Sequence, residues 1–366
     1  MSSNPPSSTK SPVEVLVVDD SRVARTLIKH ILESDPGIRV LGMVEDGPAA
    51  LDFVAAQKPD VILMDIQMPG MDGFETTRRI METRPVPIVI CSGILPADAA
   101  ATTFRVMEAG AVACVEKPAG VENASYERIA TNLRQTVRLM SEVRVVRRWA
   151  SARSIPLRRP VPSPATEAEK GPIRCVGIGA STGGPPVLQT ILADLPKDFP
   201  VPILITQHIA PGFLSGMADW LNQSTPLQVS IGAHGIPAQP GHVYLAPDDF
   251  HMGLGSDGRI VLSKTPPEEG LRPAVSYLFR SLRESFGARA IGVLLTGMGR
   301  DGARELRLLR EAGATTIAQD RDSSIIHGMP GEAIALGGAT LILSAEKIAQ
   351  SLTSLVRPAG GLLSHP

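Results

Sequence analysis

A chain of 366 residues exceeds what one ordinary hydrophobic core holds, and two domains is the natural organisation. Hydrophobic residues make up 43% of it but aromatics only 4%, so the core is aliphatic and suits buried parallel strands. Basic and acidic residues nearly cancel, 36 against 37, which argues against nucleic acid as the main partner, and no apolar run reaches the ~18 residues of a membrane span, which argues against direct membrane insertion.

Residues 1–10 are polar, lack the apolar core of a secretory signal, and read as a disordered tail. Residues 11–140 alternate short apolar runs, VEVLVV (13–18), IRVLGMV (38–44), DVILM (60–64), PIVICS (87–92) and AVACVE (111–116), with helix-like stretches such as 22–33 and 98–109. Five strand–helix units in succession predict a doubly wound parallel sheet. A long closing helix, roughly 123–148, carries Arg128, Arg134, Arg138, Arg144, Arg147 and Arg148. Without interleaved aromatics this is a solvated or docking face. A linker over 141–172 follows, semi-extended where it carries five prolines between residues 151 and 172.

Over 173–357 a second alternation begins, with strand-like runs at 173–179, 201–206, 227–232, 242–247, 259–263, 290–296, 314–319 and 339–344. Helix-like segments at 186–194, 273–286, 301–312 and 346–356 make this a second α/β domain. Its middle, 227–263, lacks helices between short strands, which predicts a small antiparallel insertion. Residues 358–366 form a tail. Cys91, Cys114 and Cys175 fit neither a disulfide framework nor a zinc site; small buried hydrophobes in a reducing cytosol, and hence a cytoplasmic protein, is the expectation.

Two constellations carry chemistry. In the first, Asp19 and Asp20 follow the first strand, Asp65 the third, Ser92 ends the fourth and Lys117 the fifth. Functional groups of an open parallel sheet gather at the carboxyl ends of its strands. Three carboxylates brought together there need a cation, and a hard ion with oxygen ligands, Mg²⁺, is the natural one. With Lys117 it suits an incoming phosphoryl group, and Asp65 is then the nucleophile. A lone Asp after a strand is ordinarily a turn or cap residue; three agreeing strand ends outweigh that reading.

The second constellation starts at GIGASTGGPP (177–186), between a strand and a helix. As a dinucleotide fingerprint its third glycine falls one place late, and the next strand ends in Gln207 and His208 rather than an acidic residue. As a variant nucleophile elbow it exposes Ser181 at a sheet edge beside backbone donors. His208, ending the next strand, is the candidate base, because its position matches that of Ser181. The orienting acid is Asp301 or Asp320, since both follow apolar strands.

VVDDSRVAR, MDIQMPGMDG, CSG and VEKP resemble the signatures of the response-regulator receiver domain. The resemblance implies a five-stranded CheY-like fold, phosphorylation of Asp65 from a histidine kinase, Mg²⁺ held by Asp19, Asp20, Asp65 and the Gln67 carbonyl, Ser92 as switch hydroxyl and Lys117 as phosphate contact. Cys114 stands where many receivers carry an aromatic switch residue. IGASTGGP, TQHIAPGF, HVYLAPDD, LTGMGRDGA and IIHGMPGEAI are similar to successive motifs of the chemotaxis protein-glutamate methylesterases, the CheB family. That resemblance implies a doubly wound methylesterase domain whose triad is Ser181, His208 and Asp301. Thr182 and Met298 lie beside it, with a Met298 backbone donor for the oxyanion. The implied reactions are hydrolysis of glutamate methyl esters and deamidation of glutamines on methyl-accepting chemoreceptors, with no cofactor for that step. Phosphorylation is expected to shift the receiver off the esterase cleft. Departures are LRPAVSYLF (271–279) and Ile209-Ala210 in the TQHIAPGF motif. Two other classes remain to be weighed: a non-catalytic receiver adaptor binding receptor tails, and a nicotinamide-dependent oxidoreductase.

Overall fold

The computed structural model describes residues 11–93, 106, 109–118, 120, 126–143 and 171–356. They fall into two compact units, one ending at residue 143 and one beginning at 171. The expected helix 98–109, most of the linker and both tails lie outside the described residues.

In the first unit, β1 (Val13–Val18), β2 (Ile38–Val44), β3 (Val61–Met64), β4 (Ile88–Ser92) and β5 (Ala113–Glu116) form one parallel sheet in the order β2-β1-β3-β4-β5. The sequence of β3, VILM, is buried at every position, as a strand covered on both faces requires. Helices α1 (Arg22–Glu33), α2 (Gly47–Ala56), α3 (Gly73–Thr83) and α4 (Tyr126–Met140) accompany it. Their starts are written locally: Ser21, Asp46 and Asp72 each accept a backbone N–H of the first turn, from Ala24, Ala49 and Glu75. The strand order reverses between β1 and β3, which puts the ends carrying Asp19, Asp20 and Asp65 on either side of the crevice.

The second unit has a seven-stranded parallel sheet in the order β14-β13-β12-β6-β7-β9-β8. Its strands are β6 (Cys175–Ala180), β7 (Ile203–Gln207), β8 (Gln228–Ile231), β9 (His242–Leu245), β12 (Ala290–Leu294), β13 (Thr315–Gln319) and β14 (Leu341–Leu343). The antiparallel insertion is confined to β10 (His251–Leu254) and β11 (Ile260–Ser263), while β8 and β9 extend the parallel sheet. The helices are α5 (Gly184–Ala193), α6 (Leu214–Ser224), α7 (Val275–Phe286), α8 (Ala303–Glu311), α9 (Met329–Ala335) and α10 (Ala345–Val356). Helices α6 and α9 were not singled out by the sequence pattern.

Gly177 and Gly179 serve packing. A Cβ on Gly177 would lie 2.4 Å from Leu282 Cδ1, and one on Gly179 would lie 2.2 Å from Val275 Cγ1. They let α7 lie close on β6, over a core that includes Leu278, Phe279, Leu282 and Leu294. In this sheet the order reverses between β12 and β6, so the loops after those two strands frame its crevice.

Candidate functional site

In the first unit one carboxylate oxygen from each of Asp19, Asp20 and Asp65 lies within 4.8 Å of the others. Lys117 Nζ donates to Asp65 Oδ2 at 2.7 Å and lies 2.6 Å from Asp19 Oδ2. The second contact is a close ion pair, and among the described residues Lys117 is the one cation set against the buried Asp19 Oδ2. Burial pushes the Asp19 carboxyl above its ordinary pKa, and the Asp65 charge adds to this against the pull of Lys117. Burial acts on Lys117 in the opposite sense, but its two carboxylate partners outweigh it and hold the ammonium above its usual range. An all-oxygen cluster of three carboxylates faced by one ammonium is the donor set of a hard divalent cation. Ser92 is buried at the end of β4, where its carbonyl accepts Lys117 N–H at 2.8 Å. Cys114 is half-buried in β5, and burial raises its thiol to about 12. It acts as a small hydrophobe.

In the second unit Ser181 begins a tight turn between β6 and α5. Gly184 N–H closes it on the Ser181 carbonyl at 2.8 Å, and Gly183 has φ 77° and ψ 1°. That is a type II turn, whose third residue needs positive φ and therefore glycine. Both flanking loops hold it: Ser181 N–H donates to the Thr296 carbonyl at 3.0 Å, and His208 N–H donates to the Ala180 carbonyl at 2.9 Å. Thr296 Oγ1 reaches the Thr182 carbonyl at 3.0 Å, which pins the next residue of the turn. Gly297 lies against the serine so closely that a Cβ there would be 2.7 Å from Ser181 Cβ.

His208 directs Nε2 to Asp301 Oδ2 at 2.9 Å. Asp301 is buried and receives the first amides of α7, Val275 N–H on Oδ2 at 2.7 Å and Ser276 N–H on Oδ1 at 2.9 Å. Helix α7 has no capping side chain of its own at Ala274, so Asp301 is its N-cap supplied from another loop. Burial alone would raise the Asp301 pKa; the hydrogen bond and charge of His208, with the Ser276 donors, overcome that and hold the carboxyl below its ordinary value. Behind this arrangement the fully buried His251 accepts Ala274 N–H on Nδ1 at 3.2 Å and has Nε2 3.2 Å from the Pro266 carbonyl. It fixes the start of the helix that Asp301 caps.

The structure thus brings His208 and Asp301 into contact and sets Ser181 on the adjoining strand end. Among the described residues nothing hydrogen-bonds to Ser181 Oγ, and the Thr182 and Met298 amides have no acceptor. Met298 is exposed beside them. Asp320, the rival acid, accepts Ser323 N–H at 2.9 Å and Ser323 Oγ at 2.7 Å, which closes its own loop. The sequence reading passed over Gln207, Thr296, the α7 amides and His251. The signal for Gln207 was a polar residue ending an otherwise apolar strand.

The chain matches the family model "CheB methylesterase" over residues 176–352 and "Response regulator receiver domain" over residues 15–125. It is similar to protein-glutamate methylesterase/protein-glutamine glutaminase 4 of Geobacter metallireducens, 53% identical over 94% of this chain and 99% of that protein. A protein-glutamate methylesterase/protein-glutamine glutaminase of Nitrosospira multiformis is 51% identical over 95% of this chain and 98% of its own length. Among solved structures, the Thermotoga maritima CheB methylesterase catalytic domain is 39% identical, covering 50% of this chain and 99% of that one, with a TM-score of 0.49.

Proposed function

Because this chain belongs to the protein-glutamate methylesterase/protein-glutamine glutaminase family, as a hydrolase with a receiver domain, we propose that its second unit cleaves glutamyl methyl esters with Ser181, His208 and Asp301. The observation that carries this reading is the His208–Asp301 pair at the sheet edge that also bears Ser181. With Nε2 committed to Asp301, His208 acts through Nδ1. It takes the proton of Ser181 Oγ as that oxygen attacks the ester carbonyl. The negative oxygen of the tetrahedral intermediate is met by the free amides of Met298 and Thr182. His208 returns the proton to the departing methoxide, which leaves as methanol, and a seryl ester remains. Water, deprotonated by His208, then releases the glutamate side chain and restores Ser181. A glutamine substrate follows the same path with ammonia leaving. Asp301 keeps the imidazole oriented and steadies its positive charge.

The substrates are methyl-accepting chemoreceptors in the cytoplasm, and the outcome is sensory adaptation. In the first unit Asp65 accepts a phosphoryl group from a histidine kinase, and Lys117 holds its oxygens. Asp19, Asp20 and Asp65 suit Mg²⁺, which when bound neutralises charge on the transferring group. Phosphorylation raises the esterase rate by shifting a population between states, with Ser92 sensing the new group. A non-catalytic adaptor would have no use for the buried carboxylate–histidine pair.

The test is methanol release from a synthetic helical peptide carrying γ-methyl glutamate, with and without acetyl phosphate. Ser181→Ala is expected to abolish release with the fold intact, and Asp65→Asn to abolish only the stimulation. Release at the wild-type rate by Ser181→Ala would overturn the triad, and normal stimulation of Asp65→Asn would overturn the regulatory half.

A further inference from the structure

Gln207 ends β7 and is buried beneath the turn that carries Ser181. Its Nε2 donates to two backbone carbonyls, that of Ser181 and that of His208, each at 2.8 Å. Two carbonyl oxygens facing one amide end demand the NH₂ there, which dictates how the side chain is turned. Among the described residues the other end, Oε1, is buried without a hydrogen-bond partner. It sits where a Gly184 side chain would project, 2.2 Å from the position of such a Cβ. A glycine at 184 therefore makes room for this amide, and the glutamine keeps its place although one of its polar atoms goes unsatisfied. A buried orphan oxygen is unfavourable, and an apolar side chain of this size would avoid it.

We infer that Gln207 is a positioning residue for the reaction: it ties the nucleophile's peptide to the base's peptide and fixes the separation of Ser181 and His208. The backbone alone leaves that separation adjustable. Ser181 and His208 follow neighbouring parallel strands, at whose edge His208 N–H donates to the Ala180 carbonyl. The Gln207 amide adds a tie between the two strand ends at the Ser181 carbonyl, and its bond to the neighbouring His208 carbonyl holds the amide in that orientation. A displacement of ~1 Å between nucleophile and base lowers the rate by about 10²-fold, so the clamp acts on turnover more than on folding.

The inference rests on Ser181 being the nucleophile. Its test uses the full chain and the γ-methyl glutamate peptide, with a p-nitrophenyl phosphonate to count functional serines by release of p-nitrophenolate. Gln207→Met keeps the volume and removes both donors. The expected result is kcat about 10²-fold lower, KM within about twofold of wild type, and full phosphonate labelling at a slower rate. Gln207→Glu presents a carboxylate to the two carbonyls, so its kcat relative to wild type is expected to rise toward acid pH, where a protonated carboxyl donates one bond again. Wild-type kcat in Gln207→Met, activity lost only in proportion to labelling, or a Gln207→Glu variant matching wild type at every pH would each overturn the inference. Ser181→Ala run beside them separates the two claims: if it still releases methanol, the reading of the site fails; if it is inactive while Gln207→Met is normal, the positioning role alone fails.

Discussion

His208 Nε2 and Asp301 Oδ2 meet at 2.9 Å, and the same oxygen accepts the Val275 amide at 2.7 Å. One carboxylate therefore orients the imidazole and caps helix α7. This double duty ties the chemistry to the packing of the unit, because α7 lies on β6 through Gly177 and Gly179.

Asp301→Asn separates the two duties. An amide can still accept one helix N–H, but its NH₂ turned toward His208 selects the wrong tautomer. A loss of about 10⁴-fold in kcat is expected, the size seen when a triad acid is made an amide. The helix cap weakens by about 1 kcal/mol. The folded-state pKa of Asp301 lies below its ordinary 3.8, so its contribution to stability is present above that value and is lost as pH falls through the lower folded value. Thermal melts of the two proteins against pH check this: their difference should shrink below about pH 4, and a pH-independent difference would contradict it.

Gly297→Ala would place a Cβ 2.7 Å from Ser181 Cβ and 2.4 Å from Met329 Sδ. The methionine can yield, but the backbone-held serine moves with its turn. Stability is expected to fall by about 1–3 kcal/mol and kcat by at least about 10²-fold. Urea denaturation and methanol release measure the two effects. Unchanged turnover would show that the turn absorbs the extra methyl without moving Ser181.

Asp19→Asn tests the acidic cluster. The folded-state pKa of Asp19 is raised, so its ionised form opposes folding at neutral pH; this penalty shrinks as pH falls through the folded value and is gone below the ordinary 3.8. The amide oxygen can still take the Ser21 N–H that Asp19 Oδ1 accepts at 2.9 Å. Without divalent cation, the variant is expected to unfold at a higher urea concentration than wild type at pH 7. Adding Mg²⁺ should stabilise wild type and leave the variant nearly unchanged. Equal stabilisation of both proteins by Mg²⁺ would remove Asp19 from the metal set.

Local sequence preference specifies the strands, most of the helices and the strand ends at which polar residues gather. Runs such as VILM and the caps Ser21, Asp46 and Asp72 act within a few residues, and such local preferences are written in order along the chain. Both acidic and nucleophilic constellations were legible for the same reason, as polar residues directly after apolar strands. Residue pattern alone does not separate Asp301 from Asp320, which each follow a strand; the resemblance to the family motif favours Asp301. The tertiary structure supplies the physical difference. Asp320 spends its carboxylate on Ser323 three residues away, whereas Asp301 is turned onto α7 and His208. The roles of Gln207 and His251 are not legible because the Ser181 carbonyl and the Pro266 and Ala274 backbone that they meet lie far along the chain. A hydrogen bond between segments far apart in sequence leaves no periodicity to read, and only folding brings its two ends together.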